Sequence, residues 1–368
     1  MSTLRAALLS FLSPGVDIPG RQVGIVKNSS SPAFCPDRAD STTTAMAWVE
    51  TPLQLLSVVE AHHTGAFAQH TQALPRAGSP SLADTVTALA ETDLPDGLTV
   101  LPAVPSLAPH HSGSGVWFIG DAFSGQVQRS LLGSRARHYV IVDDGLATLH
   151  LLRLLSRRTA VPLERARVRS TLPRRLLGLA AARKIRAAAR TGRVTVFTML
   201  PLPDRLVDEA TAVGIRIITH DFPWLRSLPG GTLPEENRVV LGTAMVCDGL
   251  IHAEPYLAWV THQAEQAPLL YYPHRREDDR TLAVLRAHPR LRVADQGLPA
   301  ELALRGLAAR HEVVSLPSTA VTSLRVLLER NGTTVSAVPI PETWWTDQAT
   351  PSLRAHLSTF VTHPKDPS

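Results

Sequence analysis

The 368-residue sequence predicts an α/β protein made of two doubly wound, Rossmann-like domains that face each other across a cleft. Three observations lead there. Short apolar stretches alternate with stretches of helical period along most of the chain, which implies parallel strands with helices on both faces of the sheet. The length exceeds what one small core serves and suits two. Pro229, Gly230 and Gly231, with Pro234 close behind, supply a hinge between two such sheets.

Taken in order, residues 1–45 are rich in Ser, Thr, Pro and Gly without a sustained period, and are expected to be a disordered extension. Folded structure is expected to begin at Met46, with a first strand at 47–49, so that a chain begun at Met46 should fold and work like the full one. A helix start follows: Thr51 as N-cap, Pro52 in the first helical position and Gln54 completing a capping box. Further strands are predicted at 116–119, 139–142, 194–199, 215–219, 239–241, 269–272, 313–316 and 334–338. Helices are predicted at 146–155, 172–190, 206–212, 280–287, 300–309 and 320–330. The organisation that results is an extension (1–45), a first Rossmann-like domain (46–228), a second Rossmann-like domain (229–345) and a tail (346–368).

Two cysteines, Cys35 and Cys247, cannot build a disulfide framework, and no apolar run reaches bilayer-spanning length. Without a signal-like start, these features lead us to expect a reducing, cytoplasmic setting. The formal charge is +5, and from Arg153 to Arg193 the chain is crowded with arginine around a single acid, Glu164. Such a stretch favours anionic partners, a membrane surface among them, or is simply a solvated helix face. Within it Leu177, Ala181, Ile185 and Ala188 fall on one helical face and Arg175, Arg183, Arg186 and Arg190 on the other.

In open parallel sheets ligands bind beyond the carboxyl ends of the strands, so residues just after strands carry the most weight. Asp143-Asp144-Gly145 follows one strand; paired carboxylates raise one pKa and suit a general base, or else cap the next helix. Tyr271-Tyr272-Pro273-His274-Arg275-Arg276-Glu277 closes another; His and paired Arg grip an anion, with Glu277 alternatively an internal salt-bridge partner. Pro317-Ser318-Thr319 precedes a helix, where hydroxyls and free N–H groups bind phosphate or serve as an ordinary cap. No phosphate loop, dinucleotide fingerprint or nucleophile elbow is present. Neither His62-His63 nor His110-His111 has metal-site spacing, so no metal and no cofactor are expected.

In this order, an acidic pair with Gly, a His/Pro pair and a Ser/Thr pair resemble the motifs of bacterial GT-B sialyltransferases, most closely the polysialyltransferase-like branch with its Tyr-x-Pro-His-Arg-Arg-Glu. Glu50-Thr51-Pro52-Leu53-Gln54-Leu55-Leu56, the stretch from Leu241-Gly242-Thr243 to Glu254-Pro255-Tyr256-Leu257, and Pro299-Ala300-Glu301-Leu302 add to the likeness, which spans roughly residues 49–338. The resemblance implies a GT-B fold and metal-independent, inverting transfer of sialic acid, or a related acidic sugar, from a CMP-activated donor to an acceptor glycan, neutral or anionic. It makes Asp143 or Asp144 the base and has His274 stabilise or protonate the departing phosphate. Ser318 and Thr319 would hold that phosphate, beside Arg275, and Glu301 the ribose or cytosine. The family often writes His before Pro; here Pro273 precedes His274, and His288-Pro289 keeps the usual order, so His288 stands as the alternative. A capsule or cell-surface polysaccharide product, and peripheral contact of the Arg153–Arg193 stretch with the inner face of a membrane, complete the expectation. The rival readings are a GT-B enzyme with another nucleotide sugar and a non-enzymatic polyanion or nucleic-acid binder. Few aromatics accompany the basic run, so nucleic acid is not the expected partner.

Overall fold

A computed structural model describes residues 43–107, 115–165, 171–231 and 233–361. Cys35, His110 and His111 lie outside these residues, as does the expected disordered extension apart from its last three positions.

The first sheet is assembled from β1 (Thr44–Val49), β2 (His70–Pro75), β3 (Leu98–Val100), β4 (Val116–Ile119), β5 (His138–Val142), β6 (Val194–Thr198) and β7 (Arg216–Thr219). Its helices are α1 (Pro52–His63), α2 (Pro80–Ala90), α3 (Gly125–Gly133), α4 (Leu146–Leu155), α5 (Leu172–Ala189) and α6 (Asp204–Ala212). A short α7 (Pro223–Ser227) leads to the second sheet: β8 (Arg238–Leu241), β9 (Leu269–Tyr272), β10 (Leu291–Val293), β11 (Glu312–Ser315) and β12 (Thr334–Ala337). With it go α8 (Ala253–Gln266), α9 (Asp279–Arg286), α10 (Ala300–Ala303), α11 (Thr319–Leu328) and α12 (Pro351–Ser358).

Strand order is β3-β2-β1-β4-β5-β6-β7 in the first sheet and β10-β9-β8-β11-β12 in the second, with every pairing parallel. Both are doubly wound α/β sheets, as the alternation predicts. Each reverses its winding beside its first strand, which puts one switch point between β1 and β4 and another between β8 and β11. The strands read as near-continuous apolar runs such as Val-Trp-Phe-Ile in β4 and Leu-Leu-Tyr-Tyr in β9, because both faces of a parallel sheet are covered.

The period-2 pleat explains how the second sheet is buried. Val239, Leu270 and Val313 point to one face and join the same apolar cluster as Trp48, Phe118 and Val140 of the first sheet. Val240, Tyr271 and Val314 point to the other and pack with α8, α9 and the tail residues Ala349 and Leu357. The two sheets thus share one continuous core. The connection is pinned on both sides. Glu60 Oε2 and Oε1 of α1 accept from Trp224 N and Leu225 N, both at 2.9 Å, while Arg226 donates to the Val326 carbonyl of α11.

Several boundaries differ from the sequence reading. β1 begins at Thr44, where Thr44 and Ala45 pair with His70 and Thr71, so Met46 is the third residue of the strand and not its threshold. The helix expected over 300–309 stops after Ala303, and Arg305 turns to donate to the Leu302 and Pro229 carbonyls. Gln54 does not close a capping box on Thr51; its Oε1 accepts from Glu50 N at 2.7 Å. In α5 the apolar face packs as expected, but Arg186 is buried and donates to the carbonyls of Leu155, Arg157 and Arg158.

Candidate active site at the facing strand ends

Asp143 and Asp144 leave the carboxyl end of β5 in opposite surroundings. Asp143 is fully buried. Its Oδ1 accepts from Gly145 N at 3.1 Å and Thr148 Oγ1 at 2.8 Å, and its Oδ2 accepts from Thr198 Oγ1 at 2.7 Å and Met199 N at 3.0 Å. Burial pushes its pKa above the usual carboxylate range, opposed by these four donors. With both oxygens committed, Asp143 ties the end of β5 to the end of β6, and we assign it to architecture.

Asp144 is half-buried and accepts from Thr51 Oγ1 at 3.3 Å, with the Gln54 side-chain amide close beside it. Burial first, then the nearby Asp121 carboxylate, raise its pKa to about 7, with Gln54, Arg165 and Thr51 pulling the other way. A carboxylate with that pKa suits proton removal at neutral pH. Gln54 Nε2 on the same side is buried without a hydrogen-bond partner among the described residues. Gly145 has a φ of 64°, and a Cβ there would stand 3.0 Å from Thr319 Cγ2. Gly145, next to the acidic pair of the first sheet, therefore meets Thr319 of the Ser/Thr pair of the second.

Ser318 is the N-cap of α11 and makes no side-chain cap bond. Its neighbour Thr319 is the α11 residue that meets Gly145. Glu301 is 6% exposed, accepts from Ser323 Oγ, and lies within electrostatic reach of both Asp143 and Tyr272. It sits beneath the junction, closed off from any nucleotide in this conformation.

His274 follows β9. Its Nδ1 accepts from Arg276 N at 3.2 Å, which leaves Nε2 to carry the ring proton. Burial, then Arg275 and Arg276, lower its pKa to about 4. Without an anion beside it, the ring is favoured as an uncharged N–H donor at neutral pH. Glu277 is not the salt-bridge partner of this loop. Its Oε2 accepts from His274 N at 2.7 Å and its Oε1 from Tyr271 Oη at 2.5 Å, while Tyr256 Oη lies 2.7 Å from Tyr271 Oη. Gly242 admits this arrangement, since a Cβ there would fall 2.2 Å from Glu277 Oε2. Arg276 pairs with Asp248 instead, and Arg275 is exposed on the loop. His288 lies after α9, before β10, at the amino ends of the strands and so away from the site.

Sequence reasoning missed a basic group beside Asp144. Asp121, 2% exposed just past β4, accepts from Arg165, and Arg174 of α5 reaches the Phe123 carbonyl at the start of α3. The signal for it was Gly120-Asp121 directly after a strand, the pattern that singled out Asp143. A separate cavity of about 510 Å³, lined by His62, Asp96 and Trp224 among others, lies by the carboxyl end of α1. His62 is satisfied there, with Thr71 Oγ1 and the Asp96 carbonyl each at 2.9 Å.

No protein-family description matches the chain, and no curated protein does. Among solved structures it resembles UDP-glucose: anthocyanidin 3-O-glucosyltransferase in complex with UDP, at 12% identity and a TM-score of 0.42, over 88% of this chain and 91% of that one. A likeness this distant has no bearing on chemistry. Among the described residues, no three His, Cys, Asp or Glu side chains gather as a metal site, and no helix is long and apolar enough to cross a membrane.

Proposed function

We propose that the protein is a glycosyltransferase that moves a sialic-acid-type sugar from a CMP-activated donor to an acceptor glycan in a single inverting displacement. The observation that carries this reading is the contact of Gly145, next to Asp144, with Thr319 at the start of α11. Asp144 removes the acceptor hydroxyl proton as the hydroxyl attacks the sugar. The bond to the CMP phosphate breaks, and the departing negative charge falls among the α11 N–H groups, the Ser318 and Thr319 hydroxyls, and the neutral His274 Nε2–H. Arg275 adds charge at the rim, and these donors meet the phosphate without a metal. Glu301 contacts the nucleotide only if closure by α10 relaxes. The exposed Leu172 and Leu176 beside Arg175 and Arg183 support the further proposal of peripheral contact with an anionic membrane.

The test is a thermal-shift comparison of CMP, UDP and GDP on the full chain, since a ligand of the native state raises stability by mass action. Selective stabilisation by CMP is expected. Selective stabilisation by UDP or GDP replaces the donor, and no response to any of the three sinks the enzyme reading.

A further inference from the structure

Beside Asp144, at the switch point between β1 and β4, lies a cavity of about 300 Å³ bounded by Arg76, Arg165, Arg174, Ser124 and Gly125. That is the size of a small-ligand site. We infer that it is an oxoanion subsite, and that the group it takes is a carboxylate or phosphate carried by the acceptor. The inference rests on the transferase reading for the word acceptor, but the binding itself does not.

The charges around the cavity largely pair off, and Arg174 is the cation that remains. Glu50 is already engaged by Arg76 at 2.7 Å and by Trp48 Nε1 at 2.9 Å, and Glu164 lies 3.7 Å from Arg175. Asp121 is taken by Arg165, whose side chain remains 58% exposed. Arg174 is different. Its bonds go to two neutral oxygens, Gln128 Oε1 and the Phe123 carbonyl, so no carboxylate neutralises it directly. It is partly buried, which with Arg129 and Arg165 disfavours its charge, while the Asp121 and Glu164 carboxylates favour it from a distance. A guanidinium with no carboxylate bonded to it presents forked donors that match carboxylate and phosphate oxygens.

The start of α3 adds to this. Ser124 is its N-cap, 7% exposed, and makes no side-chain cap bond, so its hydroxyl and the first-turn N–H groups are left for a ligand. Thr51, next to Glu50, holds Asp144, so an acceptor anchored here by its anion presents a neighbouring hydroxyl to the base.

Gly125 supplies the test. A Cβ there meets nothing nearer than 3.7 Å, and its neighbours are Arg129 and Arg174. Gly125→Asp therefore places a carboxylate inside the cluster at a helix start, where an acid is favourable. Inorganic phosphate, glucuronate and glucose are titrated against the full chain by calorimetry, with CMP in parallel. Saturable binding of phosphate or glucuronate but not glucose is expected, and Gly125→Asp should melt higher and bind the anions at least tenfold more weakly. The stronger of the two anions names the source, a phosphorylated or a carboxylated acceptor. Anion binding that survives Gly125→Asp, or none in the parent chain, overturns the inference. Arg174→Gln, which removes a cation bonded only to neutral oxygens and so strands no carboxylate, provides a second variant should the first not fold, and the same tenfold weakening is expected. CMP binding tests the transferase reading separately, because neither substitution touches α11 or His274.

Discussion

Asp143 and Asp144 are adjacent and chemically alike, and their sequence context leaves either free to be the base. The partners that divide them, Thr198, Met199 and Asp121, arrive from other strands, so the division was not legible before the fold was known. Asp144→Asn should lower turnover by about 10²–10⁴, the usual worth of a general base, with CMP affinity within a few-fold. Parent activity should rise with pH through about 7 as Asp144 ionises, and that step should vanish in the variant, as a pH–rate profile would read. The sign for stability is opposite. The folded pKa, about 7, lies above the unfolded value of roughly 3.9, so the native state holds the proton more tightly and this group's contribution falls as pH rises between them. Asp144→Asn should therefore flatten the decline of melting temperature over that window and melt no lower than the parent at pH 8. Asp143→Asn turns one acceptor into a donor that faces donors, and should cost about 1–3 kcal/mol in denaturant unfolding.

At the scale of elements, apolar runs and turn residues located the central strands, because a strand buried on both faces must be apolar throughout. They did not locate β3 and β10, three-residue edge strands, or β2, whose His-Thr-Gln start is polar. The His-Pro order kept His288 as the alternative; with β10 placed after it, that histidine lies at the amino end of the sheet. His274→Ala should weaken CMP binding and slow turnover, with His288→Ala near the parent in both; the reverse pattern would assign the wrong histidine. The site loop itself was read correctly as a strand end, but its brace was not, since Tyr256 joins Tyr271 and Glu277 from a separate helix. β1 carries a third expectation. Thr43 O accepts from Gln69 N at 3.0 Å, and Ala45 pairs with both Thr71 and Val116. A chain begun at Met46 loses these and should melt roughly 2–8 °C below one that keeps Thr43, for a loss of about 1–2 kcal/mol.

For the whole molecule, two parallel sheets were legible from alternation alone, whereas their shared core was not, because the pleat that sends Val239 to one cluster and Val240 to the other says nothing about what each will meet. An apolar junction of this kind resists hinge opening more than a wet one does. We therefore expect a ligand of the proposed site to be admitted by local movement near it more readily than by a swing of whole domains. Among the described residues the backbone passes from the first sheet to the second once, between Thr219 and Arg238. Every other tie is non-covalent: the common apolar cluster, Arg226 on the Val326 carbonyl, and Arg330 on Asp221 at 2.9 Å. A nick between Pro229 and Gly230 would leave each piece with a complete sheet and half of a sticky seam. Two such fragments, co-expressed, should find each other and restore nucleotide binding, and dilution of the reconstituted pair should then erode that binding as it never would in the intact chain.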